Sequence, residues 1–142
     1  MTPDNESRLK QLLEGEEGLR LTPYIDTTWN LTVGWCHRTT DSGTISLYQS
    51  QQYLIDDIAK FEGELSTNLS WYLNLDEVRQ MGIISMCFNL GLHGLLGFHR
   101  TLTDLEEGNW QAAHDDVLKS LADRQAPARY SEIANIFLTG SL

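Results

Sequence analysis

Three side chains in the stretch from Glu17 to His37, EGLRLTPYIDTTWNLTVGWCH, are of the types that cleave a glycosidic bond. That reaction needs a protonated carboxylic acid on one side of the bond and an ionised carboxylate on the other, with a water held for attack. Glu17 and Asp26 offer the two carboxyl groups, and Thr32 offers a hydroxyl that can grip the water. Charged side chains are mostly solvated, so such a pair gains weight only from the elements that position it.

Those elements can be read on both sides of the triplet. Thr2 and Pro3 open a first helix, Thr as an N-cap and Pro at the first helical position. Leu9, Leu12 and Leu13 form its apolar stripe, Gly15 weakens its end and Gly18 stops it. Glu16 and Glu17 therefore fall at a helix C-terminus, where the dipole disfavours negative charge. Pro23 bends the chain. Leu31, Val33 and Trp35 then alternate with Thr32, Gly34 and Cys36, a half-buried strand pattern that turns the Thr32 hydroxyl outward. Trp29-Asn30 is expected to form the hairpin turn, residues 38–43 a polar loop, and residues 22–45 a small sheet.

Everything after Ser46 reads as helix. Ser46 and Gln49 make a capping box. Leu47, Leu54, Ile58, Phe61 and Leu65 mark one face of a long bridging helix over about residues 47–66. Residues 66–74 break it, and Asn74 with Glu77 forms a second capping box. The run VRQMGIISMCFNLG is apolar nearly all round, as a central buried helix requires, and ends at Gly91. Gly94 and Gly97 mark a tight turn. Phe98, Leu102 and Leu105 carry a helix to Gly108. Asn109 caps another, with Trp110, Ala113, Val117 and Leu121 inward. Pro127 starts a last helix that buries Ile133, Ile136 and Phe137 and stops at Gly140. The fold class is α+β, a small antiparallel sheet followed by a helical body.

The chain has 142 residues and a net charge of −10. Nucleic acid is excluded as a partner, because its binding depends on Lys and Arg neutralising phosphates. No apolar run approaches the roughly 18 residues of a membrane span. The first residues lack the basic start, apolar core and cleavage site of a secretory signal, which points to accumulation in cytoplasm. Cys36 and Cys87 lie far apart and are read as reduced thiols. His93, His99 and His114 show no metal-ligand spacing and are read as surface. Met81, Met86 and Trp110 sit on helical stripes and are read as core. No cofactor or metal is implied.

The segment resembles the active-site region of the phage-type lysozymes (endolysins) of glycoside hydrolase family 24. The family pattern is Glu, eight residues, Asp, five residues, Thr, and here it falls on Glu17, Asp26 and Thr32. The flanking EGLRL, Tyr24-x-Asp26-Thr27 and Thr32-x-Gly34 also match, and the likeness runs on through GLLGF, GNWQAA and APARYSEIANIFLTG. It implies a single two-lobed lysozyme-like domain. A sheet lobe at about residues 14–47 would be joined by the long helix to a helical lobe at about 67–142, packed with the first helix. It implies an N-acetylmuramidase that inverts configuration at the β-1,4 bond of peptidoglycan. Glu17 would be the general acid, and Asp26 and Thr32 would position the water. It further implies that Arg129 pairs with the catalytic Glu, that His37 and Asp57 form a buried ion pair, and that Phe88 and Asn89 contact sugar. A monomer held in host cytoplasm, reaching the wall in the periplasm once a separate holin-type protein opens the membrane, completes what the resemblance implies.

Family members usually have Gly-x-Gly-His where this chain has Gly34-Trp35-Cys36-His37. A Cβ at position 36 costs energy if the backbone there is left-handed. This substitution and the acidic charge motivate a second reading, a non-catalytic sugar-binding module. A third, a lytic transglycosylase, needs one acid and no water-holding Asp–Thr couple. Because many relatives are basic, weaker steering toward an anionic wall is expected here. Lysis of cell walls should quicken as salt is first added at low ionic strength. A turbidity assay showing a monotonic fall from about 10 to about 150 mM salt would contradict this.

Overall fold

The computed structural model describes residues 1–142, seven α-helices and one three-stranded antiparallel sheet. It divides into two compact units, Met1–Lys60 and Phe61–Leu142.

In the first unit, α1 (Pro3–Glu17) begins where the Thr2 hydroxyl accepts from the Asn5 N–H at 3.3 Å, and ends at Gly18 with φ 66°. Leu9 and Leu13 are fully buried. The strands β1 (Arg20–Ile25), β2 (Leu31–Gly34) and β3 (His37–Arg38) follow in sheet order β1-β2-β3. Tyr24 pairs with Thr32 and Ile25 with Leu31. β1 starts at Arg20, two residues before the expected sheet. It carries Pro23 within it, on an edge strand and inside a register irregularity between Arg20 and Tyr24. A proline has no N–H to give to the ladder, and an edge or a bulge is where a strand tolerates one.

The β1–β2 turn is not Trp29-Asn30 but Thr27–Trp29. The Trp29 N–H donates to the Asp26 carbonyl at 3.1 Å, and the Asp26 N–H to the Asn30 carbonyl at 3.0 Å. A three-residue hairpin loop of this kind ends on a left-handed residue, usually glycine. Here that residue is Trp29, φ 65°. The second left-handed non-glycine residue is Cys36, φ 62°, in the β2–β3 turn. Each such conformation costs about 1 kcal/mol relative to glycine.

The sheet rests on the start of α2 (Leu47–Asn68). A Cβ at Gly34 would lie 3.2 Å from the Ser50 Cβ, so the glycine permits close approach as well as its φ of 66°. The Gln49 N–H donates to the Ser46 Oγ at 3.0 Å, the expected cap. Leu54, Ile58 and Leu65 are buried, but Leu47 is exposed, so the apolar stripe begins about two turns later than its spacing suggests.

In the second unit, a short 3-10 turn, Tyr72–Asn74, precedes α3 (Glu77–Leu96). The cap is Asp76, whose side chain accepts from the Arg79 N–H at 3.1 Å, not Asn74, which belongs to the turn. The buried Gln80 amide donates to the Tyr72 and Leu75 carbonyls at 3.1 and 2.8 Å and so satisfies that turn. α3 breaks at Gly91, φ 71° and ψ 167°. α4 (His99–Glu107), α5 (Trp110–Leu118), α6 (Leu121–Gln125) and α7 (Pro127–Thr139) complete the unit, and α7 packs on α3, α5 and α6. Leu121 opens α6 and is largely exposed, where the spacing had placed it inward on α5. Met81 and Met86 are buried, and Trp110 is half-buried. A Cβ at Gly82 would fall 2.7 Å from the Phe137 ring, which measures how closely α3 meets α7.

Arg79 ties that junction. Its Nε donates to the Phe137 carbonyl at 2.8 Å, Nη2 to the Leu138 carbonyl at 3.1 Å and Nη1 to Asp76 at 2.9 Å, while the guanidinium lies 3.8 Å from the Trp110 ring centre. A cation on the last carbonyls of a helix also suits its dipole. Arg79→Ala should destabilise the protein by about 2–3 kcal/mol, since it leaves part-buried carbonyls unpaired. A denaturant midpoint equal to the parent's would refute that role. Cys36→Gly should act oppositely, raising stability by about 0.5–1 kcal/mol. Calorimetry showing a lower Tm would count against strain at that turn.

Candidate active site

Asp26 follows β1 and is gripped by the loop it begins. Its Oδ1 accepts from the Thr28 N–H at 2.9 Å, the Thr28 hydroxyl at 2.8 Å and the Asn30 N–H at 2.9 Å. Its other oxygen, Oδ2, takes the Thr32 hydroxyl at a long 3.4 Å, and that hydroxyl also meets the Asn30 carbonyl at 3.0 Å. The Asn30 N–H above all, with the Thr28 and Thr32 donors, holds the Asp26 carboxyl below its usual range, against desolvation, which pulls it up. Oδ1 is thus saturated, and Oδ2 is the oxygen left for a further donor. Thr32 itself is fully buried. Strand parity had pointed its hydroxyl outward; instead it lies at the floor of the Asp26 loop, because both faces of β2 are covered.

Glu17 closes α1 at the end its dipole makes unfavourable for an acid, and no basic residue stands in that last turn. It is half-buried, with Oε1 out of solvent. Tyr24, one strand position across from Thr32, senses both acids. Burial chiefly raises its phenol, the Cys36 thiol adds to that, the nearby Arg20 lowers it, and Asp26 and Glu17 each raise it. The Arg20 guanidinium sits 4.5 Å from the Tyr24 ring. Tyr24 and Arg20 were not singled out from sequence. The Tyr24-x-Asp26 spacing, two positions apart at the end of β1, was the available signal.

Behind β2, the His37 Nδ1 lies 2.9 Å from the Asp57 Oδ2, and the His37 ring stacks on Tyr53 at 3.9 Å. Burial raises the Asp57 carboxyl although His37 pulls the other way. The two cysteines are free; burial pushes the Cys87 thiol up to about 12, while Cys36 is half-buried in its turn.

The second unit holds the remaining candidates. Arg129, on the first turn of α7, donates from Nε to the Ser85 Oγ at 3.2 Å and from Nη2 to the Ser85 carbonyl at 2.8 Å. Asn89 is exposed, and its Oδ1 accepts from the buried Tyr130 hydroxyl at 2.7 Å. Phe88 is buried with its ring 5.1 Å from Phe61, which leaves little of it open to a ligand. Of the histidines, His93 and His99 are exposed, whereas His114 is half-buried and bonded to Asp115 at 2.8 Å.

The profile of the phage lysozyme family matches residues 14–126, most of the chain and all three members of the triplet. The chain belongs to the phage lysozyme family. Among similar proteins are the probable T4-type lysozymes 1 and 2 of Dictyostelium discoideum. They are 28% and 29% identical, and each alignment covers 96% of both chains. The pre-baseplate central spike protein Gp5 of Enterobacteria phage T4 is 26% identical over 99% of this chain but 29% of its own length. As a phage-type lysozyme the protein is a hydrolase of peptidoglycan, on an α+β fold. No single helix of the lysozyme is long and apolar enough to cross a membrane.

The two shifted aspartates give opposite pH dependences. Asp26, lowered, contributes stability above its unfolded value of about 3.9, and this is lost as pH falls through the folded value. Asp57, raised, contributes below about pH 3.9 and loses that contribution as pH rises through its folded value. Carboxyl-carbon NMR titration should place the Asp26 midpoint below the ordinary value and the Asp57 midpoint above it. The reverse order would refute the hydrogen-bond account of Asp26.

Proposed function

We propose that this lysozyme is an N-acetylmuramidase that hydrolyses the β-1,4 bond between N-acetylmuramic acid and N-acetylglucosamine with inversion. Glu17 protonates the leaving oxygen. Asp26 and Thr32 hold the attacking water, and Asp26 takes its proton. The observation that carries this reading is the unequal use of the Asp26 carboxylate. Oδ1 is held by three donors, which fixes the plane of the group and keeps it ionised. Oδ2 has only the long contact from Thr32. A water placed there would donate to Oδ2 and accept from the Thr32 hydroxyl, which can rotate to suit. An ionised carboxylate with a free oxygen is what a base toward water needs.

Two further points support the assignment. Glu17 and Asp26 both act on the Tyr24 phenol, so the two acids share one neighbourhood of the first unit. The acid stands in the last turn of α1, where the helix dipole disfavours negative charge. In the second unit, the Tyr130 bond fixes the Asn89 amide by its oxygen and leaves its N–H₂ to donate to a sugar.

Purified peptidoglycan should release reducing ends with the parent protein. Glu17→Gln and Asp26→Asn should each slow release by about 10²–10⁴-fold. Glu17→Gln should retain the parent Tm. Proton NMR of the first product should show the α-anomer. Parent-like release by Glu17→Gln would remove it as the acid, anhydro-sugar ends would identify transglycosylation, and glycan binding without reducing ends would identify a binding module.

A further inference from the structure

The least expected residue of the Asp26 loop is the one at its tip. Trp29 is 86% exposed, the most exposed large apolar side chain of the protein, so it adds almost nothing to a core. Its φ of 65° is a conformation that glycine fills without strain and a tryptophan does not. Folding therefore gains neither burial nor backbone comfort from an indole at this position. Outliers of this kind, kept in place by surrounding bonds, point toward function.

The bonds that enforce it are those of the carboxylate site. The Trp29 N–H donates to the Asp26 carbonyl, and its neighbours Thr28 and Asn30 supply the donors to Oδ1. A turn of this kind keeps the Cα atoms of its first and fourth residues within about 7 Å, a span that an indole can cover. A ligand at Oδ2 is thus within an indole's reach of the Trp29 main chain. Hexosamine rings suit such a platform, since one face presents C–H groups and the rim presents hydroxyl and acetamido groups. Aromatic side chains with a few placed polar groups are the usual lining of ligand sites.

We propose that Trp29 is a substrate-stacking residue, holding one pyranose ring of the glycan strand against its indole beside the Asp26 carboxylate. This rests on the reading of Asp26 as part of the lysozyme site. Its loss would weaken glycan binding and leave the chemical step in place.

Two measurements test it. In the Glu17→Gln background, a tetrasaccharide of alternating N-acetylglucosamine and N-acetylmuramic acid should give a saturable blue shift of tryptophan emission. That shift should be absent when Trp29→Phe is added, although Trp35, Trp71 and Trp110 remain. In the active protein, Trp29→Gly should raise KM for solubilised peptidoglycan about tenfold, the size expected for removing an anchoring tryptophan. It should change kcat less than about twofold and keep Tm at or above the parent's, while Trp29→Tyr should restore most of the binding. Reducing-end release with KM unchanged in Trp29→Gly would overturn the stacking role and leave the hydrolytic reading intact. A Trp29-dependent shift in a protein whose parent releases no reducing ends would uphold stacking and refute hydrolysis. A Trp29-dependent shift with phosphatidylglycerol vesicles and none with the tetrasaccharide would overturn the proposal in favour of a lipid surface.

Discussion

The grip of the 27–30 loop on Asp26 Oδ1 is the interaction on which the rest of the site depends. One oxygen closes three hydrogen bonds, and those bonds define the hairpin that joins β1 to β2. The acid is therefore an element of the fold before it is an element of chemistry. Because its donors favour the ionised form, the same bonds that shape the loop hold the carboxyl charged. Removing Asp26 takes away the turn's acceptor together with the proposed base, so a loss of activity at this position would mix two causes. Glu17 lies outside the hairpin, in the last turn of α1.

The two units use different means to hold their candidate residues. In the first, short strands and tight turns do it, with Gly34 pressed on Ser50 and His37 bonded to Asp57 behind the sheet. In the second, long-range side-chain bonds to backbone do it. Arg79 closes the end of α7, and Arg129 fastens the start of the same helix to Ser85. Helix α7 is thus tied to α3 at both ends by guanidinium groups that reach main-chain carbonyls. Arginine suits this task because its planar fork keeps several donors in fixed relation.

Much of this was legible because the deciding interactions are local. Thr2, Ser46, Gly108 and Gly140 start or end helices through bonds to residues a few positions away, and Gly18 and Pro127 do so through their own backbone preferences, so sequence spacing exposes them. The Glu17, Asp26 and Thr32 spacing was likewise readable, as were Ile133, Ile136 and Phe137 on one helix face. What was not legible is set by distant partners. Arg79 lies within an apolar run and bonds carbonyls 58 and 59 positions away. Thr32 was assigned to the open face by alternation, but alternation identifies one buried face and says nothing of what covers the other. Asn74 and Asp76 both have capping side chains, and the tight turn at Tyr72–Asn74 consumes the first. Leu121 continues the period of α5, yet the chain turns at Ser120, where the hydroxyl caps α6.

The strained residues of the first unit follow from the same constraint as the carboxylate. β2 is only four residues long, and both of its flanking turns end on left-handed non-glycine residues. In the β1–β2 turn the compensation is visible: bonds to Asp26 from Thr28, Trp29 and Asn30 all require the chain to return after three residues. Trp29 is left-handed because the aspartate is bound, not because tryptophan favours it. Protonating Asp26 weakens the Oδ1 acceptor on which the Thr28 and Asn30 donors converge, so the charge of the carboxyl and the shape of the loop that carries the indole are linked. A glycine at position 29 would fit the turn without strain and would sever that link. Its absence makes this loop a place where chain geometry gives way to what the side chain can touch.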